Sequence, residues 1–318
     1  MILNQEKKIS KKNINLPDFI LAGYPRCGTT SLYQYLYFHP RILLSTPKEP
    51  RFFVFYGLSE EERRFESDVV VRTSITTLDK YSRMFRKGKN KVCGELSVTY
   101  TKYYENLIRN VKKVYPERKK PKLLIALRNP IDASFSLYNY LYMSGNLDEP
   151  DFLTWLKKAK KDRDENNAEV KRVNSLFDTY DYSTHLKKIL EAFDDVYIYL
   201  LDDMKKDPKR IMCEIFDFLG VEHILPDDLG KVYNRAGMVK KEKRSWIVSE
   251  QANRIKNMIA KIIPEATGRK WIFKMRESQF VQAQMSEAEK AFLKENFISI
   301  ITETSKIIGR DLSGWLNV

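Results

Sequence analysis

Phe19-Ile20-Leu21-Ala22-Gly23-Tyr24-Pro25-Arg26-Cys27-Gly28-Thr29-Thr30 is the stretch on which the fold turns. Four apolar residues run into Gly23, and a short loop containing Arg26 leads to Gly28. From Thr29 to about Phe38 the residues Leu32, Tyr35 and Leu36 then fall at helical spacing. The reading is a buried strand handing over to an amphipathic helix through a tight loop. Such a loop turns successive backbone N–H groups inward, and the helix start adds partial positive charge, so the segment suits a phosphate. Working outward, 123–127 and 196–201 are further apolar runs of strand length, while 131–143 and 183–193 show helical spacing. A helix over 208–219 opens on Asp207-Pro208, a cap residue with proline behind it, and closes at Gly220. Strands alternating with helices predict an α/β fold, three layers with a central, mostly parallel sheet flanked by helices. A flexible basic arm over 1–15 precedes a single domain over 16–318, whose mostly helical end, 246–312, is broken at Pro264. The polar stretches 57–78 and 144–178 read as surface excursions over the site the sheet presents.

The 318 residues carry 56 Lys+Arg against 42 Asp+Glu, a formal net charge of +14. With 43% hydrophobic residues and only 12 Gly and 12 Pro, collagen-like and wholly disordered chains are excluded. Cys27, Cys93 and Cys213 are too few for a disulfide scaffold and point to a reducing compartment. No apolar run approaches the roughly 18 residues of a membrane span. The opening MILNQEKKISKK lacks the apolar core of a signal peptide. A cytoplasmic protein without a transmembrane segment is expected. The positive balance implies an anionic partner: nucleic acid, a membrane surface, or a ligand bearing phosphate or sulfate.

The loop has the spacing of the nucleoside triphosphate loop G-x-x-x-x-G-K-[ST], with one departure. Thr29 stands where the Lys belongs, and the basic residue, Arg26, has moved into the loop interior. It resembles instead the 5′-phosphosulfate loop of the sulfotransferases, whose cytosolic members read Y-P-K-S-G-T-T. Here Arg26 keeps the charge and adds a planar fork. Cys27 loses a hydroxyl donor, keeps the spacing, and, as a thiol beside a helix start, is a candidate for unusual acidity. Arg128 ends the second strand, Pro130 starts a helix, and Ser136 follows eight residues after Arg128. This R-x7-S pattern is similar to the family element that binds the 3′-phosphate of the donor, 3′-phosphoadenosine 5′-phosphosulfate. A dianionic phosphate suits a bidentate Arg with a neutral donor. Lys48-Glu49-Pro50-Arg51-Phe52-Phe53 resembles the K-E-x-H-F-F segment of the carbohydrate and bacterial branches. Residues 94–100, 199–220 and 309–316 resemble further segments of the family.

The resemblance implies a sulfotransferase that moves a sulfuryl group to a hydroxyl acceptor and releases adenosine 3′,5′-bisphosphate. The acceptor it suggests is a carbohydrate, a glycolipid or a small metabolite. In this picture the catalytic residues are Glu49 as general base, Arg26 and Lys48. Arg26, Cys27, Gly28, Thr29, Thr30, Ser31, Arg128, Ser136 and Arg244 bind the donor, with Lys240 and Lys241 as neighbours of Arg244. Glu95 and Tyr100 line the acceptor cleft. Phe52 and Phe53 would raise the Glu49 pKa, and Lys48 and Arg51 would lower it. The transferred group carries a single negative charge, and the three histidines His39, His185 and His223 show no metal-ligand spacing, so no metal is expected. His39 reads as a turn residue, and His185 and His223 as bystanders. A nucleotide kinase or other NTPase would need a Lys at position 29. A nucleic-acid binder would concentrate its cations on one element with interleaved aromatics, whereas here they scatter through runs such as 118–122, 157–163 and 240–244.

Overall fold

The computed structural model describes residues 14–66, 68–116, 118–144, 146, 147, 149, 151–165, 176–230, 238, 239, 280, 281 and 284–317. Arg244, Lys240 and Lys241, most of the arm 1–15, and the stretch broken at Pro264 lie outside them. Contacts divide the chain into two compact units. The first comprises Met1–Arg128, Asp178–Tyr233 and Ile300–Leu312; the second comprises Asn129–Phe177, Asn234–Ser299 and Ser313–Val318.

The first unit holds an all-parallel sheet of five strands: β1 (Phe19–Ala22), β2 (Ile42–Leu44), β3 (Val92–Ser97), β4 (Lys122–Leu127) and β5 (Val196–Leu200), in the order β2-β3-β1-β4-β5. Phe19, Ile20, Leu21 and Ala22 are buried throughout, as are Leu123 to Leu127, the continuous apolar run of a strand covered on both faces. Helices link the strands, among them α1 (Thr29–Tyr37) between β1 and β2 and the helix Tyr104–Val114 between β3 and β4. Helix Pro208–Leu219 buries Ile211, Met212, Ile215, Phe216 and Leu219, a single face, each side chain worth roughly 1.5–3 kcal/mol. Its ends follow the sequence: Asp207 accepts from the Arg210 N–H, Pro208 occupies the first turn, and Gly220 closes it in the left-handed region at φ 76°.

Strands β2 and β3 carry no clear period in the sequence and were not expected. β2 has three residues, and β3 interrupts its apolar run with Gly94 and Glu95. Gly94 has a packing cause. It pairs with Phe19 across the sheet, and a Cβ there would stand 2.1 Å from the Phe19 ring. Leu201, expected at the end of a strand, instead begins the helix Leu201–Lys206. After β3 the chain crosses from one side of β1 to the other to form β4. That reversal leaves a crevice at the carboxyl ends of β1, β3 and β4, where open α/β sheets bind ligands.

In the second unit, helix Pro130–Ser144 starts at Asn129, whose side chain accepts from the Ile131 N–H and donates to the Trp315 carbonyl. Helix Phe152–Asp164 is capped by Asp151 and buries Phe152, Trp155, Leu156 and Ala159. Phe152 and Trp155 pack on Tyr138 at ring-centroid separations of 4.7 and 5.5 Å. Within 144–178, residues Phe152–Asp164 are therefore a helix packed on one face rather than the surface excursion their polarity suggested. A short antiparallel pair, Met238–Val239 with Phe280–Val281, the start of helix Glu287–Ile308 and the short turn of helix Ser313–Leu316 also belong to this unit.

Candidate functional site

The loop after β1 is fixed from below. Gly23 must lack a side chain, because a Cβ would meet the Thr29 methyl at 2.7 Å. The Thr101 hydroxyl donates to the Gly23 carbonyl at 2.7 Å. Tyr24 is fully buried, its ring 4.4 Å from that of Tyr182 and stacked on His185 at 5.9 Å. Tyr180 donates to the Pro25 carbonyl at 3.0 Å. Gly28 is the N-cap of α1 at φ 80°, a left-handed geometry that suits glycine, and a Cβ there would lie 2.5 Å from Leu201 Cδ1. The first turn of α1 contains no acidic residue, and its N-cap makes no side-chain hydrogen bond. No acidic side chain of its own first turn offsets the positive end of the helix.

Around that helix start the structure gathers three cations within the first unit. Arg26 sits in the loop at φ 64°. Lys48 Nζ donates to Thr30 Oγ1 at 2.9 Å, and burial pulls the Lys48 pKa below its ordinary value, with the Glu49 carboxylate opposing. Arg128, just past the end of β4, donates from Nη1 to the Arg26 carbonyl at 3.1 Å, while its own carbonyl accepts from Tyr182 at 2.9 Å. Arg128 Nε is buried and has no hydrogen-bond partner among the described residues.

The loop carrying Glu49 hangs from the carboxyl end of β3. The Glu49 N–H donates to the Leu96 carbonyl at 2.9 Å, and the Arg51 N–H donates to Ser97 Oγ at 3.1 Å. Glu49 and Arg51 both lie in the left-handed region, at φ 59° and 51°, and their side chains pair at 2.7 Å. Arg26, Glu49 and Arg51 are three of the four non-glycine residues with positive φ among those described. Backbone strain of this kind, roughly 1–3 kcal/mol each, concentrates where function over-determines the geometry.

Several expectations are corrected. Glu95 and Tyr100 do not line a cleft, because both are fully buried. Glu95 accepts from Tyr81 at 2.5 Å, Tyr100 at 2.7 Å and Ser97 at 3.1 Å. Burial raises its pKa to about 7 against those three hydrogen bonds. Cys27 is not an acidic thiol. It is wholly buried, its pKa is pushed up to about 12 by burial, and its N–H turns back to the Tyr24 carbonyl at 3.3 Å. Phe52 and Phe53 are buried, Phe52 stacking on Tyr81 at 4.0 Å.

Ser136 is buried on helix Pro130–Ser144 in the second unit, and Arg244 lies outside the described residues. His39 holds a turn, with Nδ1 accepting from the Arg41 N–H at 3.1 Å. His185 is buried, its pKa pushed down to about 4 by burial, and His223 pairs with Asp217 at 2.7 Å on the surface. Sequence reasoning missed Tyr180, Tyr182 and Thr101, which fix the loop from distant positions. The cluster Tyr180-Asp181-Tyr182 ahead of a capped helix was the one available signal.

A family model for the sulfotransferase domain matches residues 16–295. Over 308 residues the chain is 23% identical to human bifunctional heparan sulfate N-deacetylase/N-sulfotransferase 3, covering 95% of this chain and 31% of that protein. Over 176 residues it is 26% identical to the membrane-associated sulfotransferase kil1 of Dictyostelium discoideum, covering 50% of this chain and 31% of that protein. The chain thus spans under a third of the length of these curated relatives. A solved sulfotransferase from Alicyclobacillus acidocaldarius has the same fold, with a TM-score of 0.65 at 23% identity over 95% of this chain and 99% of that one. With the parallel sheet, the glycine-bounded loop at the start of α1 and the cations around it, the match over residues 16–295 places this chain in the sulfotransferase family.

Proposed function

We propose that this domain transfers a sulfuryl group from 3′-phosphoadenosine 5′-phosphosulfate to a hydroxyl of a glycan. The observation that carries the donor reading is Arg128: a half-buried side chain whose guanidinium is held at the phosphate loop by the Arg26 carbonyl, with a buried Nε left unpartnered among the described residues. An anion bonded there satisfies a donor that is costly to bury alone. The loop and the start of α1 take the 5′-phosphosulfate, and Arg128 takes the 3′-phosphate. Thr29, where an NTPase has its Lys, argues against ATP as the natural ligand. The glycan reading rests on the heparan sulfate and carbohydrate that the relatives' names carry; the hydroxyl rests on the resemblance of the 48–53 segment, since the heparan sulfate relative is named for transfer to nitrogen.

In the transfer the acceptor oxygen bonds to sulfur while Glu49 takes the hydroxyl proton. The bond from sulfur to the bridging phosphate oxygen breaks, and its electron pair leaves with adenosine 3′,5′-bisphosphate. Arg51 holds the Glu49 carboxylate in place through their 2.7 Å pair. Lys48 and Arg26 offset the charge growing on the leaving phosphate. Because the transferred group bears one negative charge, these cations supply the needed compensation.

Thermal unfolding tests the reading. Adenosine 3′,5′-bisphosphate at a hundred times its Kd should stabilise the protein by roughly 2.7 kcal/mol without Mg²⁺, and ATP should do little. A response to ATP with Mg²⁺ and none to the bisphosphate would overturn it. Glu49→Gln should keep the bisphosphate response and lose transfer; surviving transfer would remove Glu49 as the base.

A further inference from the structure

Glu95 is a carboxylate with no exposed surface, held by three hydroxyls, and the chemistry above does not use it. Burying such a group is costly unless every lone pair and proton is placed. Two of its three partners are committed elsewhere in a particular sense. Ser97 Oγ accepts from the Arg51 N–H at 3.1 Å, and Tyr100 Oη accepts from the Phe53 N–H at 3.3 Å. Each hydroxyl receives a main-chain N–H and passes its own hydrogen to Glu95, at 3.1 and 2.7 Å. Tyr81 gives Glu95 a third hydrogen. The carboxylate is therefore the common acceptor of two relays that end on the backbone at residues 51 and 53.

Those two N–H groups bracket the end of the strained turn. Glu49 and Arg51 are left-handed, and the turn's other ties include the Glu49 N–H on Leu96, the Pro50 carbonyl receiving the Ile75 N–H at 2.8 Å and the Glu49–Arg51 side-chain pair. A left-handed non-glycine residue persists only where its surroundings hold it. We infer that Glu95 is a positioning residue for the loop bearing Glu49: through Ser97 and Tyr100 it locks the backbone at Arg51 and Phe53, and so fixes where the Glu49 carboxylate stands. The consequence for transfer rests on the proposed role of Glu49; the clamp itself does not. Among the described residues, the ionisable groups that act on Glu95 or feel its charge are the tyrosines Tyr81, Tyr100 and Tyr115.

Glu95→Gln removes one acceptor oxygen and sets an N–H₂ donor among the hydroxyls. Ser97→Ala removes the relay to Arg51 alone and is the milder change should the first variant fold poorly. Both should speed hydrogen exchange of the Arg51 amide at least about tenfold over wild type, the loss of one buried hydrogen bond. Amides in helix Pro208–Leu219 should be unaffected. Both variants should also lower kcat for sulfuryl transfer about tenfold or more, with the donor KM held within about twofold, the signature of a misplaced base rather than a lost binding contact. Unchanged Arg51 exchange in Ser97→Ala overturns the clamp. Faster exchange with unchanged kcat overturns its role in positioning the base. If the wild-type protein transfers nothing, the sulfotransferase reading fails, and the exchange comparison still decides the clamp.

Discussion

Arg128 gives Nη1 to the Arg26 carbonyl and keeps a buried Nε without a partner among the described residues, and the proposed donor reading places an anion beside this guanidinium. Arg128→Ala should weaken adenosine 3′,5′-bisphosphate binding by about 1.5–3 kcal/mol, the worth of a hydrogen bond to a charged group, seen as a smaller thermal shift at fixed ligand. Arg128→Lys should recover little, because an ammonium lacks the planar fork. Cys27 makes the opposite kind of prediction. Buried, and with a pKa near 12, it should resist alkylation at pH 8 until denaturant is added. Labelling in the native protein at the rate of a free thiol would contradict that burial. That Arg26, Lys48 and Arg128 come together around the start of α1 could be anticipated because their segments carry a spacing pattern. Glu95 was misread because nothing in a sequence shows a carboxylate facing inward: its partners Tyr81, Ser97 and Tyr100 become neighbours only when β3 is built.

At the scale of elements, the loop between β1 and α1 depends on a glycine in the left-handed region beneath a leucine. Gly28→Ala combines an unfavourable φ with a Cβ 2.5 Å from Leu201 Cδ1, and should cost about 1–3 kcal/mol, read as a lowered Tm. β1, α1, β4 and helix Pro208–Leu219 were readable because a strand covered on both faces leaves an unbroken apolar run and a helix leaves caps. β2 and β3 were not readable. One is too short to show a period, and the other gives two of its six positions to Gly94, which admits the Phe19 ring, and to the buried Glu95. Helix Phe152–Asp164 was hidden by its exposed lysines, although Asp151 caps it as a sequence rule would ask.

Across the whole molecule two buried groups set opposed pH dependences. Glu95, raised by burial from 4.5 to about 7, contributes stability fully present below pH 4.5 and lost as pH rises through 7. His185, near Asp181 and Lys102 and packed on Tyr24 and Tyr104, is lowered by burial from 6.5 to about 4. Its contribution is present above pH 6.5 and lost as pH falls toward 4. Each is on the order of 3 kcal/mol, so between pH 4.5 and 6.5 they nearly cancel. Glu95→Gln should make Tm climb across that window relative to wild type, and His185→Gln should make it fall; parallel curves would contradict the assignment. The net charge of +14 has a partial meaning under the proposed function, in which Arg26, Lys48 and Arg128 face the anionic donor. Sulfuryl transfer itself is tested by incubation with sulfur-labelled 3′-phosphoadenosine 5′-phosphosulfate and a panel of glycans. Label should pass to a glycan hydroxyl with release of adenosine 3′,5′-bisphosphate in equal amount, and Glu49→Gln should abolish it. No label on any acceptor, together with stabilisation by ATP and Mg²⁺ but not by the bisphosphate, would rule out sulfuryl transfer from this donor.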